Sequence, residues 1–259
     1  MPIMKTIDEW IEEFKNKINE GYETHRMDKR LAGYAYEVDQ PARRLLKYEE
    51  SPRHESLPHG GTLIVMPTPK TRNVTPYQVG FRIDLKEWAV DPTVYGMDNY
   101  MHQIGVNISQ KEVWVMAKGM SDNAGNVIEA EQKGELSKND VVKARDLVLG
   151  QTYADIIIMP IKQRWRFLKN GELWEPHRIP TGYVPEKDRG PYYAGNIDEA
   201  KVYGTPAIED FVLVYSKREI MVKNTALKIE YDERERILLV DKWCSSAPIR
   251  EEAVVKITL

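Results

Sequence analysis

Residues 234–259 read RERILLVDKWCSSAPIREEAVVKITL and contain two strand-like segments. From Arg236 to Trp243 apolar and charged residues alternate, which is the pattern of a strand with one buried face. The SSAP segment at 245–248 separates this strand from a second one, Ala253–Leu259. We expect both strands to be held inside sheets, because a free terminal segment otherwise frays.

The composition is that of an ordinary globular protein, with 42% hydrophobic and 30% charged residues among 259. Lys and Arg number 37 against 40 Asp and Glu, which argues against a dedicated nucleic-acid binder but leaves room for a local basic face. The single cysteine, Cys244, excludes an internal disulfide and favours a reducing compartment. The lack of a long apolar run and the acidic N-terminal segment predict a protein that is not secreted and has no membrane partner.

Two helices are predicted from capping and periodicity. Thr6 and Glu9 form a capping-box pattern at the start of an amphipathic helix that Gly21 can end, and its apolar face docks on this body or on a partner. A long helix is predicted over Asp98–Lys118, with Gly119 as its stop.

A helix–strand–helix unit follows. Ser137 caps a helix that Gly150 closes, and YADIIIMP at 153–160 predicts a strand buried on both faces. Ile161–Leu168 is predicted to be another helix. The Gly-, Pro- and Tyr-rich residues 170–196 are predicted to form a long loop.

The N-terminal third predicts an arm and a hairpin. Residues 22–60 show little regular pattern and are typical of an extended arm. Thr62–Met66 and Gln78–Leu85 predict the two strands of one long hairpin, with Lys70 and Arg72 near its tip.

The order of these parts resembles the major capsid proteins of tailed phages, which have the Hong Kong 97 fold, and their relatives the encapsulins. Three stretches carry the resemblance, which covers residues 77–259. They are YQVGFRIDLKEWAVDP with the helix ending in KEVWVMAKGM, then SKNDVVKARDLVLGQTYADIIIMPIKQRWRFL, and then AKVYGTPAIEDFVLVYSKREIMV with the last two strands.

This resemblance implies an α+β fold of Hong Kong 97 type. It would have a peripheral domain with a long spine helix and long β-strands, an axial domain with a mixed sheet flanked by helices, and an extended β-hairpin loop. The implied divisions are an N-terminal helix and arm at 1–60, the extended loop at 61–86, the peripheral domain at 87–135 and 227–247, and the axial domain at 136–226 and 248–259.

The resemblance also implies a mechanical function. Many copies would self-assemble into an icosahedral shell of pentamers, with or without hexamers, that encloses double-stranded DNA held non-specifically. The alternative is an encapsulin shell around a cargo enzyme. The N-terminal third lacks the features expected near the start of encapsulins, which favours a viral or provirus-derived capsid protein, in a virion or in the cytoplasm of its host cell.

The expected contacts with neighbouring subunits involve one basic pair and four aromatic residues. They are Lys70, Arg72, Trp174, Tyr183, Tyr192 and Tyr193. For the aromatic residues the alternative is packing onto their own domain. The most basic neighbourhood could line the interior of the shell, and the alternative is a solvated surface. It contains Arg26, Lys29, Arg30, Arg43, Arg44 and Lys47.

No catalytic, cofactor or metal site is predicted. HESLPH, with His54 and His59, has the wrong spacing for a zinc-protease helix, and Pro58 would break that helix. The Lys–Asn isopeptide bond of some phage relatives is not carried over, since no matching asparagine or glutamate is found. An α+β hydrolase is the rival from another class and requires a deep pocket.

Overall fold

The computed structural model describes residues 6–47, 53–56, 62–65, 70–85, 97–149, 153–170, 192–197 and 199–259. Its helices are α1 (Ile7–His25), α2 (Asp28–Leu31), α3 (Met97–Asp122), α4 (Lys138–Leu149) and α5 (Ile161–Lys169). No helix in these ranges is long and apolar enough to cross a membrane.

The strands fall into two large sheets and two short ladders. They are β1 (Tyr34–Glu37), β2 (Arg44–Lys47), β3 (Arg53–Ser56), β4 (Thr62–Val65), β5 (Lys70–Asn73), β6 (Tyr77–Asp84), β7 (Asn126–Glu129), β8 (Ile156–Pro160), β9 (Tyr193–Ile197), β10 (Ala200–Thr205), β11 (Phe211–Tyr215), β12 (Ile220–Asn224), β13 (Lys228–Asp232), β14 (Ile237–Pro248) and β15 (Val254–Thr258).

The capping predictions for α1 and α4 are confirmed. The Glu9 carboxylate accepts a bond of 2.6 Å from the Thr6 amide, and the Thr6 hydroxyl accepts from the Glu9 amide at 3.3 Å. At α4 the Ser137 hydroxyl accepts from the Asp140 amide at 3.1 Å, and Asp140 accepts from the Ser137 amide at 2.9 Å. Each pair satisfies amides that a helix start leaves without intrahelical partners.

Two glycines predicted as helix stops lie inside helices instead. A Cβ on Gly21 of α1 would overlap the backbone oxygen of His102 on α3. A Cβ on Gly119 of α3 would overlap the backbone oxygen of Ser246 on β14. These glycines permit close approach of packed elements, and α3 continues to Asp122 because nothing local ends it at Gly119.

The five-stranded sheet is organised around β14. Its first half pairs antiparallel with β6 and β13, and its second half pairs antiparallel with β12, which in turn pairs with β1 in parallel. The strand predicted to end at Trp243 continues through Pro248. It continues because Ser245 pairs with Lys223 of β12 and Ser246 donates to the Met116 carbonyl of α3 at 2.9 Å.

The six-stranded sheet has the order β7-β15-β11-β8-β10-β9. Its middle strand β8 is buried along its whole length, as predicted, and β15 pairs with β11 and β7, so the last strand is held inside a sheet as expected. One face packs on α4 and α5, and the other shares the main core with α1, α3 and the five-stranded sheet.

Two strands pair differently from the implied domain division. Asn126–Glu129, expected in the peripheral domain, joins the six-stranded sheet through β15. Ile220–Asn224, expected in the axial domain, joins the five-stranded sheet through β14. Both strands lie near an expected boundary, where local sequence does not reveal the partner strand. The division into domains itself stays a prediction.

The predicted hairpin has different strands. Thr62–Val65 pairs antiparallel with Arg53–Ser56, and Lys70–Asn73 pairs with Arg44–Lys47, so two ladders follow one another along a single hairpin. The segment expected to be its second strand, Gln78–Leu85, largely coincides with β6 (Tyr77–Asp84), which belongs to the five-stranded sheet. The residues thought to be an unstructured arm therefore provide one side of the hairpin.

Candidate assembly surfaces and the buried polar cluster

The hairpin is attached to the body at its β2–β5 root. Leu45 of β2 packs into a small core with Met221, Ala247 and Ile249 on the outer face of the five-stranded sheet. Through this contact the root is fixed to β12 and to the end of β14.

Arg72 and Lys70 lie at this root and not near the tip. Arg72 pairs in the ladder with Leu45, and Lys70 pairs with Lys47. The guanidinium of Arg72 forms an ion pair with Glu251, to which Lys47 also lies at 3.2 Å. The prediction placed these residues at the tip because it paired Thr62–Met66 with Gln78–Leu85, whereas β5 pairs with β2. Their contact with a neighbouring subunit stays a prediction.

Two of the four predicted aromatic contact residues are buried within their own subunit. Tyr192 and Tyr193 are 8% and 9% exposed. The Tyr193 hydroxyl donates to Asn196 at 2.8 Å, and its ring meets the Tyr203 ring edge-on at 5.9 Å. Burial also raises the pKa of Tyr192. These two rings are thus engaged in the subunit's own core.

The other two aromatic residues, Trp174 and Tyr183, lie outside the described residues. The loop predicted at 170–196 is wrong at its end, where strand β9 begins at Tyr193 and pairs with β10. A role for the preceding residues in contacting neighbouring subunits stays a prediction.

A buried polar cluster, which the sequence reasoning missed, joins α1, α3, β12 and β14. Lys242 and Glu112 are each about 1% exposed in their side chains, and their charged atoms lie 3.2 Å apart. Tyr22 donates to the second oxygen of Glu112 at 2.8 Å. Lys242 also donates to the Tyr22 hydroxyl, and Asn224 donates to Glu112. Three elements, α1, β12 and β14, are therefore tied to one carboxylate on a fourth, α3.

The cluster extends to a second ion pair at α2. Arg26 donates to both oxygens of Asp28, at 2.9 and 2.8 Å, and Asn224 reaches Asp28 at 3.2 Å. Burial alone would raise the pKa of Asp28, but the Arg26 guanidinium holds it below its usual value. Burial raises the pKa of Glu112, with Lys242 acting in the opposite direction.

The sequence did contain a signal for this cluster. Leu238, Val240 and Cys244 point into the main core, and Lys242 occupies the same phase of the alternation. A lysine at an inward position needs a buried partner. Its partner Glu112 lies 130 residues away on α3, so no local pattern identifies it.

The residues tested for catalysis are placed in structural positions. Cys244 is fully buried, as predicted, and burial raises the pKa of its thiol. His54 and Glu55 lie on strand β3, whereas a zinc-protease motif requires a helix, and His59 lies outside the described residues. Within the described ranges, no group of three or more His, Cys, Asp or Glu residues could hold a metal.

Comparison with known proteins finds relatives only at the level of structure. No family model matches the chain, and no curated protein matches it in sequence. The virus-like particle of Pyrococcus furiosus matches with a TM-score of 0.60 and 12% identity, over 96% of this chain and 99% of that one.

Two further structures match over most of their length. A structure from Mycobacterium phage Ogopogo gives a TM-score of 0.56 at 14% identity, covering 91% of this chain and 92% of that one. The encapsulin complex of Synechococcus elongatus matches with a TM-score of 0.51 at 8% identity, covering 87% of this chain and 84% of that one. The chain therefore has the α+β, Hong Kong 97-like fold found in capsids and encapsulins.

Proposed function

We propose that this chain is the subunit of a closed icosahedral shell assembled from many copies of itself. The observation that carries the proposal is the end-to-end likeness to the Pyrococcus furiosus virus-like particle, which leaves almost no part of either chain unmatched. A subunit of this kind acts through its edges, and many weak contacts of the same type act together.

The hairpin supports this proposal on physical grounds. Its β3–β4 ladder has two strands and, among the described residues, pairs with no third. A two-stranded ribbon is marginally stable alone in water. A neighbouring copy that pairs with this ladder would supply further main-chain partners.

For the contents of the shell we propose double-stranded DNA, in a viral or provirus-derived capsid found in a virion or in the host cytoplasm. The near balance of 37 basic and 40 acidic residues suits a wall that touches DNA lightly and without sequence preference. The alternative is an encapsulin that encloses a cargo protein, supported by the likeness to the Synechococcus elongatus encapsulin. The proposal assigns the chain no catalytic residue, cofactor or metal.

Expression of the full chain followed by electron microscopy tests the proposal. We expect closed particles of uniform size. A chain that stays monomeric at every protein and salt concentration would refute it. Nucleic-acid absorbance that survives nuclease treatment of intact particles supports the DNA capsid, whereas a second protein that co-purifies inside particles without nucleic acid supports the encapsulin.

A further inference from the structure

A basic pocket lies on the outer face of the five-stranded sheet, on the side opposite to α3. Its volume is about 540 Å³. It is lined by Gln40, Pro41, Ala42, Arg43, Arg44 and Lys223. The segment between β1 and β2 is held over the sheet there, because the Ser245 hydroxyl of β14 donates to the Ala42 carbonyl at 2.7 Å.

The three cations of this pocket have no acidic partner among the residues that the structure describes. In the part of the chain that the structure describes, the side chains of Arg43, Arg44 and Lys223 form no ion pair, whereas Arg26 and Arg250 each bind a carboxylate. Like charges gathered around one pocket repel each other, and an anion placed among them relieves that repulsion. The charge of this pocket therefore favours the approach of negatively charged groups.

Two exposed tyrosines lie beside the pocket on the same face of the sheet. Tyr36 pairs with Lys223 and Tyr34 with Met221, so their side chains share the outer face, while Ala35 pairs with the inward-facing Val222. Tyr34 and Tyr36 are 43% and 49% exposed. Their rings are stacked, with centroids 6.5 Å apart. They belong to β1, an edge strand of the described sheet.

We propose that this basic–aromatic patch, formed by Tyr34, Tyr36, Arg43, Arg44 and Lys223, binds an acidic extended segment of a second copy of this chain. The inference rests on the proposed shell function and assigns one surface of the contact. Carboxylates of the neighbouring copy pair with the cations, and its backbone or apolar side chains lie against the tyrosines and the edge of β1.

Charge and chemistry favour a second copy over DNA. The chain as a whole has 40 acidic and 37 basic residues. Because three of the cations lie in this pocket, the rest of the molecule has a larger acidic excess, and a second copy can therefore offer carboxylates to the pocket. Tyrosine and arginine are enriched at the centres of protein interfaces. Three cations would neutralise only roughly three phosphates, which gives weak and salt-sensitive binding to DNA.

Charge reversal in the full chain tests the patch. Arg43→Glu/Arg44→Glu should raise the protein concentration needed for assembly at least about tenfold, because like charges now face each other across the contact. Lys133→Glu/Lys138→Glu, two exposed lysines on the other sheet's side of the molecule, gives the same change in net charge and should assemble like the wild type. Far-UV circular dichroism and thermal unfolding of the subunit should match the wild type in both variants.

A photo-crosslinker at Tyr36, introduced as p-benzoylphenylalanine, identifies the partner. We expect crosslinks to an acidic peptide of a second copy in assembled particles. Crosslinks to DNA, crosslinks only within one subunit, or shells that form normally with Arg43→Glu/Arg44→Glu would overturn this inference while leaving the shell function intact. A wild-type chain that never assembles would overturn the shell function itself.

Discussion

Removing the buried cation of the polar cluster should destabilise the subunit severely. The Lys242 ammonium lies 3.2 Å from Glu112, and both side chains are about 1% exposed. At an effective dielectric constant of about 20, a pair at that separation attracts by roughly 5 kcal/mol. Breaking a buried pair by removing one partner costs about 3–5 kcal/mol, because the other charge stays buried and uncompensated. We therefore expect Lys242→Met to lower the free energy of unfolding by about 3–5 kcal/mol.

The double variant Lys242→Met/Glu112→Gln separates this charge effect from lost packing. Glutamine keeps the shape of Glu112 without its charge. Its oxygen can accept from Asn224, and its NH2 group can donate to the Tyr22 hydroxyl, which loses the Lys242 donor in this variant. Most of the stability lost in Lys242→Met should therefore return.

Urea unfolding of unassembled subunits, followed by circular dichroism, measures both variants. The matched control is Lys228→Met, an exposed lysine on β13 in the same sheet, which should change stability by no more than about 0.5 kcal/mol. A Lys242→Met variant within about 1 kcal/mol of the wild type, or a double variant as unstable as the single one, would contradict the cost assigned to the unpaired Glu112 charge.

Three other predictions concern the same packed region. Gly105→Ala should lower the free energy of unfolding by about 1–3 kcal/mol, because its methyl group would overlap the Ile18 carbonyl of α1. This loss should outweigh the better helix propensity of alanine, and a raised melting temperature would contradict it. Thr6→Ala should cost about 1 kcal/mol through loss of the α1 cap, whereas Thr6→Ser should be close to neutral in thermal melts. In Lys242→Met the pKa of Glu112 rises further above its usual 4.5, so the folded state keeps a proton that the unfolded state releases. The deficit relative to wild type should therefore grow as the pH is raised above the usual pKa of Glu112, and a deficit that shrinks as the pH rises would contradict the assignment.

Features with a local physical cause were predictable from the sequence. The α1 cap depends on residues three positions apart, and the burial of β8 follows from four consecutive apolar residues at 156–159. The pairing of the last strand was expected because a free terminal segment otherwise frays, and β15 does pair with β11 and β7. The full fold then required the resemblance, because the order of elements does not by itself decide which strands share a sheet.

Features that depend on distant partners were not predictable in this way. The two glycines at 21 and 119 carry the same local signal whether they end a helix or let another chain segment approach, and only the packing partner distinguishes the two uses. Strand pairing has the same ambiguity. Thr62–Val65 could pair with either flanking strand on propensity alone, and its partner Arg53–Ser56 is polar enough to be mistaken for an arm.

The polar composition of Arg53–Ser56 agrees with the proposed use of the hairpin. A ribbon that buried its own apolar face in the subunit would show clear alternation and would have nothing left to offer a neighbour. Arg53–Ser56, by contrast, is composed of RHES, and no third strand covers its ladder in the described part of the chain. The pairing of Arg53–Ser56 therefore has no signal in its own sequence, because backbone hydrogen bonds between strands do not depend on an apolar pattern, and the proposed contact with another copy would use the same backbone groups.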